Sequence, residues 1–133
     1  LGVYAKVSNS AYRLLKAATP GPYTFVLQAT KEVPRRLVNP KRKTIGLRVP
    51  DNGICRALLS ELGEPIMSSS LILPGQEEPL TDPLEMRDLL EKQVDLIIDG
   101  GFCGLGSTSV INLEEDQVVI LREGGGDLAL FGG

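Results

Sequence analysis

The stretch Pro20-Gly21-Pro22-Tyr23-Thr24-Phe25-Val26-Leu27-Gln28-Ala29-Thr30 decides the fold, because a helix ends and a strand begins within it. Neither proline can continue a helix unchanged, since proline lacks a backbone N–H and restricts the residue before it. Residues 23–30 are rich in β-branched and aromatic side chains, which is typical of a strand. The sequence therefore predicts a helix–strand junction here.

Helix and strand patterns alternate on both sides of this junction. Upstream, Ser8, Asn9 and Ser10 each offer an N-cap for a helix whose apolar side carries Ala11, Leu14, Leu15 and Ala18. Downstream, strands are predicted at residues 44–49, 65–72, 94–98, 108–113 and 118–122, and the apolar run of residues 94–98 is typical of a strand covered on both faces. Helices are predicted at residues 54–62, ending at Gly63, and at residues 84–90, starting from Thr81-Asp82-Pro83. The glycine-rich tail after residue 122 is predicted to be loosely held.

These elements predict the α/β class, with a twisted mixed sheet of parallel and antiparallel strands and flanking helices. The last two strands are expected to pair as a hairpin. A chain of 133 residues is long enough for one domain and too short for two. One domain is therefore predicted over residues 1–133.

The composition restricts the chemistry that this chain can perform. It contains no histidine, which excludes Ser-His and Cys-His nucleophile pairs, His-ligated zinc and imidazole acid–base catalysis. The remaining arginines, lysines, carboxylates, hydroxyls and backbone amides favour the handling of phosphates. The longest apolar runs are too short to cross a membrane, and no secretory signal pattern is visible. A cytoplasmic location is the default expectation.

Positive charge is concentrated in residues 31–43, which we call the basic stretch, although the net formal charge is −3. Its six cations are Lys31, Arg35, Arg36, Lys41, Arg42 and Lys43, against one acid, Glu32. Two prolines exclude a central strand here. The cations suit contact with the phosphates of RNA, and the lack of aromatic side chains favours a duplex or structured RNA over an unpaired strand. A solvated loop that keeps a sheet edge soluble explains the same charges.

Four further segments carry groups suited to a ligand. Arg48 and Arg122 lie in otherwise apolar predicted strands, where each needs an internal carboxylate or a bound carboxylate or phosphate. The serines of residues 68–70 fit either a ligand crevice or an ordinary polar strand end. The glycine-rich loop of residues 100–106 lacks the lysine of a Walker loop, and it either lines a ligand or connects two strands.

Taken together, these segments resemble the YrdC-like family, which includes threonylcarbamoyl-adenylate synthases. Six matches occur in the family's order. They are Pro20-Gly21-Pro22-Tyr23-Thr24 for PGPxT, residues 44–50 for T-x-G-x-R-x-P, residues 65–70 for P-[IL]-x-S-x-S, residues 94–101 for VDLIIDGG, residues 108–112 for S-T-V-V-D, and residues 121–124 for L-R-x-G.

The resemblance implies a YrdC-like fold and a specific reaction. The family's synthases join threonine, bicarbonate and ATP into threonylcarbamoyl-adenylate, a precursor for tRNA modification, and release pyrophosphate. Besides Thr24 of the PGPxT match, the residues carried over by position are Arg48, Ser68 and Thr108 on the threonine side, and Thr44, Ser70 and Arg122 on the nucleotide side. The implied ligand is ATP or an AMP-like nucleotide, and whether Mg²⁺ accompanies it is left open.

Two departures from the synthases are visible. The synthases carry Ser-Ala-Asn where this chain has Ser70-Leu71-Ile72, so Ile72 replaces an amide that helps to hold the nucleotide. Together with residues 31–36 and 71–75, this resembles the YciO-type branch, in which synthase activity is an open question. The family's N-terminal portion, with a Lys-x-Arg pair that grips the triphosphate, is expected before Leu1. The chain is thus expected to form the C-terminal two-thirds of a YrdC-like domain.

Three hypotheses follow for the function. The first is a nucleotide- and RNA-binding domain of YciO type, with tRNA or double-stranded RNA as partner and no membrane association. The second is a threonylcarbamoyl-AMP synthase in its intact form, for which this fragment alone is expected to be inactive. The third is a structural or partner-binding domain, which no motif in the sequence supports. The oligomeric state is not predicted.

Overall fold

The computed structural model describes residues 4–35, 38, 39, 41, 43–101, 108–114 and 117–132. The chain divides into two compact units, of which unit 1 comprises Leu1–Asn52 and Ser107–Gly133 and unit 2 comprises Gly53–Gly106.

Unit 1 is built around a four-stranded sheet in the order β2-β1-β3-β4. The strands are β1 (Tyr23–Gln28), β2 (Thr44–Leu47), β3 (Ser109–Asn112) and β4 (Val119–Arg122). β1 pairs antiparallel with β2 and parallel with β3, and β3 pairs antiparallel with β4. The predicted mixed sheet and its final hairpin are confirmed.

The core of unit 1 lies between one face of this sheet and helix α1 (Asn9–Ala18). Alternate residues of β1, Tyr23, Phe25 and Leu27, are buried, as the two-residue period of a strand requires. They form one cluster with the buried side of α1, where Leu15 is 4% exposed. We call the opposite face of the sheet, which carries Thr24, Val26 and Gln28, the outer face.

Local signals set the ends of α1. The Oγ atom of Ser8 accepts a hydrogen bond from the Ala11 amide at 3.2 Å, which satisfies one of the free N–H groups of the first turn. At the other end, the Thr19 hydroxyl donates to the Leu15 carbonyl at 2.6 Å. The predicted helix and its buried side are confirmed.

The prediction of a loose tail was wrong. Leu128–Phe131 forms a short 3-10 helix, capped by the Asp127 carboxylate, which accepts from the Ala129 amide at 2.9 Å. The Phe131 ring is 7% exposed and packs edge-on against Tyr23, with ring centroids 5.2 Å apart. A distant aromatic contact therefore holds the tail, and the local glycine content gave no sign of it.

Unit 2 contains two helices, α2 (Gly53–Leu62) and α3 (Pro83–Leu90). Helix α2 ends at Gly63, whose φ of 73° suits glycine and whose amide donates to the Leu59 carbonyl at 2.9 Å. Helix α3 begins after Asp82, whose carboxylate accepts from the Leu84 amide at 3.0 Å. Both helices were predicted with these boundary residues.

The strands predicted at residues 65–72 and 94–98 are wrong for the chain as the structure describes it. Neither segment pairs with a strand there. A strand is stable only where its backbone N–H and C=O groups find partners, and unit 2 supplies no strand to pair with among its described residues. Leu96, expected to be buried on both faces of a sheet, is 75% exposed.

Candidate anion-binding site

The outer face of unit 1 carries two threonine hydroxyls in direct contact. The Oγ1 atoms of Thr24 and Thr108 lie 2.7 Å apart, although the residues are 84 positions apart in the sequence. The parallel register of β1 and β3, which pairs Tyr23 with Ser109, produces this contact. The structure thus brings together the threonine of the PGPxT match and the first residue of the β3 motif.

Arg122 of β4 completes what we call the hydroxyl–guanidinium cluster: Thr24, Thr108 and Arg122. Its Nη2 atom donates to the Thr108 carbonyl at 2.7 Å and to the Thr108 Oγ1 atom at 3.1 Å. Its Nε atom donates to the same carbonyl at 3.0 Å. The guanidinium is therefore fixed by neutral acceptors.

This cluster retains hydrogen-bond donors and a positive charge. Arg122 is exposed and makes no ion pair among the described residues, and its Nη1 atom makes no hydrogen bond there. Of the two hydroxyl protons of Thr24 and Thr108, one is used between them and one remains. A carboxylate or phosphate meets these requirements, because charge-assisted bonds to guanidinium are the strongest that such a group forms.

Arg48 follows β2 on the same outer face. The pairing of Val26 with Gly46, continued by two residues, places Arg48 opposite Thr24. Gly46 allows this close packing, because a Cβ atom there would lie 3.3 Å from Thr24 Cγ2. Arg48 is exposed and has neither a hydrogen bond nor an ion pair within the part of the chain that the structure describes. Two uncompensated cations thus flank the same level of the sheet.

Thr44 lies apart from this level. It is 5% exposed and pairs with Gln28, four residues along β1 from Thr24, which corresponds to about 13 Å at the rise of a strand. Its carbonyl accepts from the Asn39 amide at 2.9 Å. The structure does not bring Thr44 into the hydroxyl–guanidinium cluster.

Ser68 and Ser70 belong to unit 2, and both are exposed there. The Ser70 carbonyl accepts from the Ile72 amide at 3.1 Å and from the Ser69 hydroxyl at 3.2 Å, so this segment is a local turn rather than a strand. The grouping of these serines with the arginines of unit 1 stays a prediction.

The tail positions Thr108 through its neighbour Ser109, a contribution that sequence reasoning missed. Ser109 is fully buried, and its Oγ atom accepts from the Gly124 amide at 2.9 Å and donates to the Gly125 carbonyl at 2.8 Å. Tyr23, next to Thr24, donates its hydroxyl to the Asp127 carbonyl at 2.9 Å. The tail thus holds a residue adjacent to each threonine of the cluster.

The basic stretch is attached to the core at several points. Val33 is 8% exposed and belongs to the core cluster of unit 1. Lys43 adopts a φ of 58° and donates its amide to the Asn39 carbonyl at 2.8 Å, which closes a turn before β2. The described cations, Lys31, Arg35, Lys41 and Lys43, are all exposed, whereas Arg36 and Arg42 lie outside the described residues.

Most of the glycine-rich loop, residues 102–106, also lies outside the described residues. At its start, the Asp99 carboxylate accepts from the Gly101 amide at 2.9 Å. Within the described ranges, no group of three His, Cys, Asp or Glu side chains is arranged to hold a metal ion. No helix in those ranges has both the length and the apolar character that crossing a membrane requires.

Comparison with known proteins gives close relatives. A protein of Haemophilus influenzae called "Uncharacterized protein" is 61% identical over 98% of this chain and 64% of its own. "Uncharacterized protein YciO" of Escherichia coli is 58% identical over the same shares. The crystal structure of E. coli YciO matches with a TM-score of 0.90, covering 98% of this chain and 63% of that one. The chain therefore spans about 64% of the length of these relatives.

More distant relatives have a named activity. The threonylcarbamoyl-AMP synthase of Pyrococcus abyssi is 34% identical over 94% of this chain and 37% of its own. A crystal structure of P. abyssi Sua5 complexed with L-threonine matches with a TM-score of 0.83 at 31% identity, covering 96% of this chain and 37% of that one. Residues 1–124 match the Sua5/YciO/YrdC family, described as "Telomere recombination". The sheet mixes parallel and antiparallel strands, two relatives exceed 50% identity, and the family match covers nearly the whole sequence. This chain therefore belongs to the Sua5/YciO/YrdC family.

Proposed function

We propose that the protein binds an adenylate-type nucleotide on the outer face of unit 1 and a structured RNA on the basic stretch. In this proposal it is a YciO-type member of its family that functions in tRNA or other RNA metabolism. The nucleotide is ATP or a molecule with the phosphate of AMP.

The observation that carries this proposal is the uncompensated charge of Arg48 and Arg122. Arginines beside a hydroxyl group with an unused proton favour an anion, because charge-assisted hydrogen bonds to a carboxylate or phosphate are the strongest that a guanidinium forms. Arginine suits phosphate and carboxylate alike, since its planar fork donates two parallel hydrogen bonds. The hydroxyl pair of Thr24 and Thr108 supplies a further donor to the same anion.

Calorimetric titration with ATP and with AMP tests the nucleotide half of the proposal. Arg122→Ala is expected to weaken binding by about 10- to 100-fold, because a hydrogen bond to a charged group contributes about 1.5–3 kcal/mol. Arg87→Ala is the matched control, since Arg87 is an exposed arginine of α3 that pairs with Glu91. If both variants bind as the wild type does, the outer face is not the nucleotide site.

A second candidate is threonylcarbamoyl-AMP synthesis by the full-length protein. The matches from P. abyssi support it, since the sequence relative is named as this synthase and the structure is of Sua5 complexed with L-threonine. In such a site Arg48 would hold the threonine carboxylate. Catalysis would rest on positioning and on charge stabilisation at phosphorus, which requires no histidine.

Pyrophosphate release from ATP, dependent on threonine and bicarbonate, measures this activity in the full-length protein. Ile72→Asn is expected to raise nucleotide affinity if the amide of the synthases is the missing contact. An unchanged affinity would mean that another difference separates the YciO-type branch from the synthases. No release at high enzyme concentration would reject the synthase and leave nucleotide binding in place.

A further inference from the structure

The charges of this chain are segregated along the sequence. Residues 1–52 contain ten lysines and arginines and two acids, whereas residues 53–106 contain three and ten. Only six of the ten N-terminal cations lie in the basic stretch. The other four are Lys6, Arg13, Lys16 and Arg48, of which Arg48 belongs to the candidate anion-binding site.

Lys6 lies beside the basic stretch in the structure, although 25 positions separate it from Lys31. Its amide donates to the Gln28 carbonyl at 2.9 Å, at the end of β1. On the other edge of β1, the Ala29 amide donates to the Lys43 carbonyl at 2.9 Å. Lys6 and Lys43 therefore flank one strand, with their backbones about 10 Å apart at the usual strand spacing.

Helix α1 begins three residues after Lys6 and carries further positive charge. It contains no acidic residue, and its exposed side carries Tyr12, Arg13 and Lys16, away from the buried Ala11 and Leu15. Tyr12 is 59% exposed. Neither Arg13 nor Lys16 forms an ion pair with any residue that the structure describes. An exposed aromatic ring beside two free cations is the combination on which unpaired bases stack while their phosphates are neutralised.

We infer that the RNA-binding surface continues from the basic stretch through Lys6 onto α1, where Tyr12 stacks on an unpaired base and Arg13 and Lys16 contact phosphates. This inference rests on the RNA half of the proposed function and changes its ligand class. The sequence alone favours a duplex, since the basic stretch lacks aromatic residues. With Tyr12 on the surface, the ligand is an RNA with both a duplex part and an unpaired part.

Filter binding over a series of salt concentrations tests this inference with two probes, an RNA hairpin with an unpaired loop and the blunt duplex of its stem. The double variant Arg13→Ala/Lys16→Ala is expected to reduce the slope of log affinity against log salt by about 1.4 to 1.8, because each lost phosphate contact removes about 0.7 to 0.9. Lys92→Ala, which removes an exposed lysine of unit 2, is expected to leave the slope unchanged.

Tyr12→Ala is expected to weaken hairpin binding by about 5- to 150-fold, to leave duplex binding unchanged and to keep the salt slope. Tyr12→Phe is expected to retain the affinity, since the ring supplies the stacking. All these side chains are exposed, so circular dichroism should show the wild-type helix content in every variant. A retained slope in the double variant, or equal losses for hairpin and duplex with Tyr12→Ala, overturns the inference.

Different results would reject RNA binding as a whole and its extension onto α1. A wild-type protein that binds neither probe rejects the RNA half of the proposed function together with this inference. A wild type that binds both probes with a steep salt slope, while the α1 variants bind equally well, rejects only the extension onto α1.

Discussion

The two units of this chain use similar helices but differ in what those helices cover. In unit 1, α1 buries Ala11, Leu15 and Ala18 in a shared core with the sheet. In unit 2, neither α2 nor α3 contains a buried residue, and none of residues 53–101 is buried. Helix formation therefore depends on local signals in both units, whereas burial depends on a sheet that only unit 1 has among its described residues.

The apolar side chains of unit 2 make this difference clear. Met67, Leu84 and Leu96 are 76%, 69% and 75% exposed, respectively. The apolar run around Leu96 predicted a strand covered on both faces, because such runs normally lie in a core. A hydrophobic pattern predicts that a segment will be covered, but it does not identify what covers it.

The largest expected difference between the units is the effect of removing a large apolar side chain. Phe25→Ala is expected to lower the free energy of unfolding by about 3–5 kcal/mol, since Phe25 is 1% exposed at the centre of the core. Leu96→Ala is expected to change it by less than about 0.5 kcal/mol, since Leu96 is 75% exposed. Urea unfolding followed by circular dichroism measures both.

Phe25→Leu is a second variant to measure if Phe25→Ala does not fold. It is expected to lower the free energy of unfolding by about 1–2 kcal/mol. The decisive result concerns Leu96. A loss from Leu96→Ala as large as that from Phe25→Ala would mean that unit 2 has a core in solution, and the contrast between the units would be wrong.

Sequence reasoning succeeded where structure depends on neighbouring residues. Ser8 is one of the three candidates predicted to cap α1, and Asp82 lies in the predicted start of α3; each caps its helix in the structure. The same reasoning failed for residues 65–72 and 94–98, because strand propensity cannot supply a pairing partner. It failed for the tail because Phe131 packs on Tyr23 across more than a hundred residues.

The candidate site was predictable in its residue types but not in its grouping. The absence of histidine favoured the handling of phosphates, and the isolated arginines required either an internal carboxylate or a bound anion. The family resemblance separated Thr108 from Arg122 as threonine and nucleotide contacts. The structure places the Arg122 guanidinium directly on Thr108. This contact depends on the pairing of β3 with β4, including the register shift between Val110 and Ile111, which no local pattern encodes.

A smaller difference between the units is expected for two serines with different surroundings. Ser109→Ala is expected to lower the free energy of unfolding by about 1–3 kcal/mol, because it leaves the Gly124 amide and the Gly125 carbonyl without their partner. Ser69→Ala is the matched control in unit 2 and should change it by less than about 0.5 kcal/mol, since Ser69 is exposed. Urea unfolding measures both.

The same pair of variants tests the role of the tail in the candidate site. If the tail positions Thr108, Ser109→Ala also weakens ATP binding under conditions where the variant is fully folded, whereas Ser69→Ala does not. Unchanged ATP affinity in a destabilised Ser109→Ala would mean that the tail stabilises the fold without orienting Thr108.

The smallest expected effect compares the two helix caps. Ser8→Ala and Asp82→Ala each remove one side-chain acceptor from a first turn, which costs about 1 kcal/mol. We expect their locations to differ: Ser8→Ala lowers the stability of the whole of unit 1, because α1 forms part of its core, whereas Asp82→Ala lowers only the local protection of α3. Hydrogen exchange distinguishes these two effects. In Asp82→Ala the protection factors of the amides of residues 86–90 should fall about fivefold, while those of β1 stay unchanged. An equal loss of protection in β1 would demonstrate that both units unfold together, so that the exposed helices of unit 2 depend on the same cooperative transition as the sheet.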